Sequence, residues 1–532
     1  MTMTRNRLFL LAAAMLTTSS LMQAQTSYEA AALLDTDLGG TARFVGMGGA
    51  MGALGADVST MGTNPAGIGL YRSWDLSMSF GGNWVTQRTY SNSARNRSFS
   101  SYGTMDNVGI VMASKLSNDN MLRFVNFGFN YHNVKRFGGK MGMSSNLNGL
   151  SQSGQMAWQA FENKNVYASD FDYNSPDGFY QKNYYGDESI GWLTLLGADG
   201  RLIDASSKDG GNFYPSDANR YNEVLSGGID AFDFNLSFNL MDAVYLGVTL
   251  TAYDVDRRLE STYSETFYGG DYTLNNYYLT TGSGYDFKLG VILRPIEESS
   301  FRIGVAATTP AVYNLRDYNS AIISSNIMFD EFDDAGEFIG SYVESFKKDT
   351  QHKDAYGEDC YTDYTMIAPA KLNLSLGGTI GTSWALGAEY EYSNYGATKL
   401  YYKNGDENSI MNKHTNDNFR GQHVLRMGVE KMFAGSYYVR AGYNYISSGY
   451  KADAWKMIPL NSVQTNTAYK NLKSTNNVSC GVGYRGDVFY ADAALLYSHQ
   501  TADFYPFDDP QLEATSLNRN LLKGMVTLGL RF

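Results

Sequence analysis

The chain is poor in cysteine, with two among 532 residues, Cys360 and Cys480. Two in such a length make no disulfide framework, and no bridge between them is expected. Histidine numbers five. His132, His352, His414, His423 and His499 are scattered, without the spacing of a metal-binding pair such as HExxH. Proline is scarce, with nine residues, which leaves long stretches of backbone free to pair in a sheet. Long apolar runs are missing too. Beyond the N-terminal segment none reaches the ~18–20 residues that a spanning helix needs. The mean hydropathy of −0.32 likewise excludes a helical membrane bundle. A basic surplus is lacking: the net charge is −12, which argues against nucleic acid as a partner.

Motifs of catalysis are also missing. Gly46, Gly48 and Gly52 miss the GxGxxG spacing, and no strand precedes them as a dinucleotide site requires. The acidic run Asp330–Asp334 lacks the calcium-loop pattern and reads as solvated surface. No serine elbow or Walker loop occurs. The chain is therefore expected to be no enzyme, with no catalytic residue, metal or cofactor.

What the chain has in quantity is glycine, tyrosine and alternation. It carries 55 Gly and 41 Tyr, and aromatics make up 14%. Trp74, Leu76, Met78 and Phe80 alternate with Asp75, Ser77 and Ser79. Phe232, Phe234, Leu236 and Phe238 alternate with Asp233, Asn235 and Ser237, and the same pattern runs through Tyr285–Leu293. Period-two alternation marks strands with one apolar and one polar face. There are about fourteen such runs of roughly 10 residues, the length a tilted strand needs to cross a bilayer. Connections between them are short at 117–120, 241–242, 296–299 and 486–487, and long at 137–227 and 311–367. Short turns on one side and long loops on the other build a membrane barrel. Prolines stay out of the strand cores, with Pro369 placed near a strand start. The last run puts Leu522, Val526, Leu528, Leu530 and Phe532 on one face. On the next-to-last pair of runs, Val478, Cys480, Val482 and Tyr484 share a face, so Cys480 is expected to be a free thiol facing lipid.

The first residues read as an export signal. Arg5 and Arg7 precede the apolar Leu8–Leu16, and Met22-Gln23-Ala24 offers a cleavage site before Gln25. Residues 42–71 then combine many glycines with Phe44, Val45, Met47, Met51, Leu54, Val58, Met61, Ile68 and Leu70. That stretch is too glycine-rich for a helix or central strand and too apolar for a free tail, so it must fold against a container. Asn64-Pro65-Ala66-Gly67 closes it. Proline disfavours helical geometry at Asn64, and an Asn side chain satisfies turn backbone.

A short Gly/Ala-rich segment ending in Asn-Pro-Ala-Gly, followed at once by a strand, resembles the FadL/TodX (OmpP1) family of outer-membrane transporters for long-chain fatty acids and other hydrophobic compounds. The resemblance implies an all-β transmembrane antiparallel barrel of about 14 strands with an N-terminal hatch in its lumen. It implies a signal peptide at 1–24, the hatch at 25–72 and the barrel at 73–532, with long external loops at 137–227 and 311–367. Gly46, Gly48, Gly49, Gly52, Asn64, Pro65, Ala66 and Gly67 fall on the hatch as gating positions, with Asn64–Gly67 as its anchor. In the family the route leads sideways through the wall into the bilayer. A C-terminal Phe on the last strand resembles the recognition signal of the barrel-insertion machinery. Inward-facing Lys288, Arg426, Arg440 and Lys523, near mid-height, are candidates to receive a carboxylate ligand or to pair with Glu389, Glu391 and Asp492 in the wall. Expected partners are a hydrophobic small molecule, outer-membrane lipids and, during biogenesis, the insertion machinery, for a protein that is a monomer in the Gram-negative outer membrane. A shuttle role in protein secretion or surface display, or hemin uptake, is the alternative. Two apolar segments of the longest loop, Gln155–Phe161 and Ile190–Leu196, either cover the barrel mouth or form an apolar landing groove.

Overall fold

The computed structural model describes residues 25–116, 121–163, 185, 190–204, 212–350 and 361–532. The expected signal peptide, the turn at 117–120, Cys360 and His352 lie outside the described residues.

Fourteen antiparallel strands close on themselves. In chain order they are β1 (Asp75–Tyr90), β2 (Arg95–Lys115), β3 (Leu122–Arg136, continued by Gly139–Asn146), β4 (Ser216–Leu240), β5 (Val244–Phe267) and β6 (Gly270–Leu293). There follow β7 (Arg302–Thr308 and Val312–Phe332), β8 (Tyr361–Ile367 and Lys371–Ile380), β9 (Trp384–Asn394 and Lys399–Tyr402) and β10 (Gly421–Phe433). The last four are β11 (Tyr437–Ile446), β12 (Tyr469–Arg485), β13 (Phe489–Tyr505) and β14 (Thr515–Arg531). Each strand pairs with the next, and β14 pairs with β1 from Tyr90↔Ser516 to Asp75↔Arg531. Closure removes the free sheet edges along most of the wall, so the backbone polar groups there find partners.

The outside carries an apolar belt. Leu76, Met78, Phe80 and Trp84 of β1 are exposed, as are Leu522, Val526, Leu528 and Leu530 of β14. Aromatic rings border it at the short-turn end, where Trp74 meets Phe532 and Tyr437 meets Tyr484. Trp84, Tyr392 and Tyr497 border it at the other end. Such girdles flank the hydrocarbon zone of membrane barrels. Val478 and Val482 are more than half exposed, and the free thiol of Cys480 lies between them, facing outward.

The two expected long loops are narrower than 137–227 and 311–367, because strands run into them. β3 continues through Gly139–Asn146, β4 begins at Ser216, β7 runs on to Phe332 and β8 begins at Tyr361. The β7 extension also forms a hairpin with Phe338–Asp349. These extensions rise above the belt with water outside them, so the apolar/polar alternation that lipid imposes is absent. Pro369 is not at a strand start. It interrupts β8 opposite Pro310, which interrupts β7, and the ladder resumes on either side, with Ala368 N donating to Ala311 O at 2.8 Å. Two prolines facing each other each lack an N–H, so the ladder there loses bonds from both strands at one level.

The hatch crosses the lumen as a string of short elements: a helix Ser27–Leu34, a helical turn Ala42–Gly46, and 3-10 turns Val58–Gly62 and Pro65–Leu70. Val45, Met51 and Met61 are fully buried. Above it, helices Gln152–Glu162 and Trp192–Asp199 lie across the barrel mouth. Glu265 of β5 accepts from the backbone N of Gln152 at 2.7 Å, a carboxylate at the helix start where the dipole favours it. Met156, Trp192, Leu195 and Leu196 pack with Tyr263, Tyr272, Phe504 and Phe507 of the upper barrel. These two apolar segments are largely buried against the upper barrel, with Phe161 exposed.

Candidate functional site

The hatch is seated by two different devices. The first is a polar clamp on its C-terminal end. Asn64 is extended (φ −132°, ψ 101°) and its side chain accepts from Ala66 N. Its Nδ2 reaches Val291 O at 3.4 Å. Pro65 O accepts from Ser237 Oγ at 2.9 Å and Asn235 Nδ2 at 3.3 Å. Asn126 Nδ2 donates to Ile68 O at 2.7 Å and Tyr71 O at 3.0 Å. Asn126, Asn235 and Ser237 are inward-facing polar positions of β3 and β4, so the wall's polar face satisfies a buried turn.

The second device is steric. Gly377, Gly387, Gly428 and Gly442 stand in one row across β8, β9, β10 and β11, each registered with the next. All four face inward, against Leu54, Ala50, Met47 and Gly48 respectively. A Cβ on Gly442 would fall 2.1 Å from Gly48 N and 2.4 Å from Met47 C. Gly48 and Gly49 both have positive φ, +62° and +81°, the left-handed region that glycine enters without penalty. Gly46 and Gly52 also touch the wall, Gly46 near Gly481 and Arg440, and Gly52 N donating to Glu389 Oε2 at 2.9 Å. Gly67 O accepts from Ala56 N. The two hatch halves therefore differ in kind: one is hydrogen-bonded to the wall, the other mostly laid against it.

Charged residues of the hatch reach the wall as well. Arg43 pairs with Glu430. Glu29, on the lumenal helix, pairs with Arg257 of β5 at 2.6 Å and Lys456 at 3.0 Å. Burial alone would raise the Glu29 carboxyl, but Lys456 and Arg257 outweigh it and hold it at about 2. Lys456 belongs to the connection between β11 and β12, so this triad joins hatch, wall and outer connection. Glu29 and Arg43, among the few charges of the hatch, were the signal available in the sequence, since a buried charge requires a partner.

The four candidate wall cations are each paired to a carboxylate. Lys288 lies 2.6 Å from Asp286. Arg426 holds Glu389 and Glu391. Arg440 holds Glu430 and Asp492, both at 2.6 Å. Lys523 lies 2.6 Å from Asp106. None of the four lines the apolar chamber described next.

Between the hatch helix and the upper wall lies a cavity of about 160 Å³. Tyr28 and Ala32 of the hatch form its floor side, and Leu225, Leu259, Phe504 and Leu517 its walls. Glu223 in the wall is paired with Lys470. Arg519 of β14 also lines it and, among the described residues, makes no ion pair or side-chain hydrogen bond. No histidine lines this cavity among the described residues. Two other polar cavities lie beside the hatch, lined by Lys523 in one and Lys288 and Arg426 in the other.

The chamber also touches a break in the wall. β2 pairs with β3 only up to Asn107↔His132. Above that level β2 pairs with β1 alone, while Gly139–Asn146 pairs with β4 alone. Phe137, Gly138 and Gly139 stand at the break and line the chamber. A Cβ on Gly138 would lie 2.3 Å from the Tyr102 ring, and one on Gly139 2.6 Å from Gln87 Nε2. The break begins level with Ser79 and Phe80, within the apolar belt, so it faces the hydrocarbon of the outer half of the bilayer. The sequence signal was the Phe-Gly-Gly triplet at 137–139. What it breaks is visible only once β2 and β3 are neighbours.

The chain is thus a closed membrane-spanning β-barrel with a lumenal hatch and an interrupted side wall. No protein-family model matches the chain, and no curated protein sequence does. Solved structures do. The P. putida toluene transporter TodX superposes with a TM-score of 0.50 at 11% identity, covering 93% of this chain and 99% of that one. A TodX monoaromatic hydrocarbon channel deltaS2 mutant gives 0.50 at 11% identity, over 93% of this chain and all of the other. A Pseudomonas aeruginosa FadL homologue gives 0.49 at 11% identity over 93% and 99%. The chain has the FadL/TodX fold.

Proposed function

We propose that this protein takes up hydrophobic small molecules across the outer membrane, passing them from the apolar chamber sideways through the wall break into the bilayer. The observation that carries the reading is the contact between chamber and break at Phe137–Gly139. A hydrophobic solute gains roughly 25 cal/mol per Å² of apolar surface removed from water, and a lateral exit into lipid preserves that gain throughout. The hatch keeps the lumen from being an aqueous pore. The likeness in fold to a toluene transporter supports an apolar cargo. The finer reading is a long-chain fatty acid or similar carboxylate, with Arg519 as the receptor for its head and Leu225, Leu259, Phe504 and Leu517 around its tail. Arg519 suits this role because it makes no direct ion pair, only a longer-range attraction to Asp35 and Asp37, so its guanidinium can still take a bound carboxylate. Lys288, Arg426, Arg440 and Lys523 then serve to hold the wall together. The gating part of the hatch is Gly46–Gly55, and Asn64–Gly67 is its anchor.

The test combines binding and transfer. Purified protein should bind oleate, and Arg519→Met should weaken that binding about tenfold, the worth of one charge-assisted contact of about 1.4 kcal/mol, while leaving toluene binding unchanged. Gly138→Trp, which fills the break, should stop transfer into lipid with binding retained. Transfer at the original rate in Gly138→Trp removes the lateral route. Equal oleate affinity in Arg519→Met removes the carboxylate reading and leaves a neutral cargo.

A further inference from the structure

The lipid-facing wall is not evenly filled. Where β8 to β11 lie side by side, Gly378, Ala388 and Ala441 place small groups outward between the large side chains of Leu376, Leu386 and Met427. The result is a groove of about 780 Å³ on the outer surface, within the range of roughly 300–1,000 Å³ typical of small-molecule sites. The same four strands carry the inward glycine row on their other face. The wall there is little more than backbone, with the hatch on one side and the groove on the other.

Three observations define what fits the groove. It lies in the apolar belt directly above Trp384, Phe433 and Tyr437, which border the short-turn end, so it faces the bilayer leaflet on that side. Its lining is apolar except at the rim nearest the turns, where Ser299 and Ser300 stand. Lys431 lies one register step below, since Trp384↔Lys431 follows Leu386↔Val429. Lys431 has no carboxylate partner among the described residues. Its Nζ lies 3.0 Å from Ser383 Oγ and 4.4 Å above the Trp384 ring centroid, held at the level of lipid head groups.

We propose that this groove binds one glycerophospholipid of the short-turn leaflet, with an acyl chain along Leu376, Leu386 and Met427 and its phosphate on Lys431. The occupant is bilayer lipid, not transported cargo, because the groove has no opening to the lumen: the strands behind it are continuously paired. A site of this kind holds a lipid longer than the surrounding annulus does, because the chain settles into an open depression between large side chains and the head group is charge-paired.

Native mass spectrometry tests this on the full-length protein, purified in a mild detergent with added palmitoyl-oleoyl phosphatidylethanolamine. The expected spectrum shows a barrel carrying one phospholipid. Ala388→Leu with Ala441→Leu fills the groove and should cut the lipid-bound fraction at least tenfold. Lys431→Gln should cut it several-fold. Ala493→Leu, an outward alanine in β13, two strands beyond β11 and outside the groove lining, should leave it unchanged. Heat-modifiable gel mobility reports folding in each variant, and Ala388→Leu alone carries the test should the double variant fail to fold. Undiminished retention in the filled variant, equal loss in Ala493→Leu, or no retained lipid in the unsubstituted protein overturns the proposal.

Discussion

Arg43 of the hatch and Glu430 of β10 are joined by two bonds, Nε to Oε2 at 3.1 Å and Nη2 to Oε1 at 3.2 Å. The same carboxylate accepts from Arg440 Nε at 2.6 Å, and Arg440 reaches Asp492. The element proposed to move is thus tied to the wall through a network that the wall would need in any case. Removing Arg43 leaves Glu430 still held by Arg440, so the barrel should survive while the hatch loosens. Loss of one partner of a buried pair costs roughly 3–5 kcal/mol. Arg43→Met should therefore raise ion conductance in a planar bilayer well above that of the unsubstituted protein. Unaltered conductance would show that Arg43 does not hold the hatch.

The glycine row makes a steric prediction. Gly442→Val places atoms where Met47 and Gly48 lie, with a Cβ 2.1 Å from Gly48 N. The barrel has no need of that glycine, because strand positions accept valine readily. Gly442→Val should fold as a heat-modifiable barrel and conduct ions, whereas Gly340→Ala, on the outer hairpin strand Phe338–Asp349 with open space around it, should leave the lumen closed. A closed Gly442→Val would mean the hatch can shift to another seat.

The Glu29 triad predicts a flat pH response. Its folded carboxyl is held at about 2, below the ordinary glutamate value of about 4.3. A depressed value stabilises the seated hatch fully above the unfolded value, and that contribution is lost only as pH falls through about 2. Conductance should stay low and constant from pH 5 to 8. Glu29→Gln leaves Lys456 and Arg257 without their carboxylate and should raise it across that range. A steep rise between pH 6 and 5 in the unsubstituted protein would contradict the pairing.

Cys480 reports on the orientation of β12. Its thiol points into the belt between Val478 and Val482. In lipid nanodiscs it should resist a charged, membrane-impermeant maleimide and react with an apolar one. Rapid labelling by the charged reagent would place this face of β12 in water.

How much of this could be read from the chain follows from what each residue has for surroundings. Leu522, Val526, Leu528 and Leu530 alternate because lipid lies on one side of them, and the outward face of Cys480 follows from the same rule. The upper parts of β4 and β5 have water outside. Asn219, Arg220, Tyr221, Asn222 and Glu223 therefore follow one another in β4 without the apolar/polar alternation of a lipid-facing strand, and the strand's start at Ser216 was not legible. The hatch was legible because its apolar residues and glycines demand a container. The pairing of Glu29 with Arg257 spans 228 residues, and the nearness of Arg519 to Asp35 and Asp37 is a fact about neighbours in space. Neither leaves a trace in local pattern. Pro369 was expected near a strand start, and its meeting with Pro310 was not legible.

The seam of the barrel has a consequence for its assembly. β1 and β14 are joined along their whole length, and at its foot Trp74 and Phe532 exchange backbone bonds of 2.8 and 3.1 Å. The lumen does not exist until those strands meet, although Asp75 and Arg531 are 456 residues apart along the chain. The hatch lies immediately upstream of β1, and Glu29, Arg43 and Asn64 bind β5, β10 and β6. Joining contacts so distant in sequence is slow. A curled sheet with its seam still open can receive these side chains from the side, whereas a sealed cylinder would have to admit them end-on past the lid or the turns. Filling the lumen and closing the wall are thus coupled steps, and the hatch acts as a mandrel around which the sheet is wrapped.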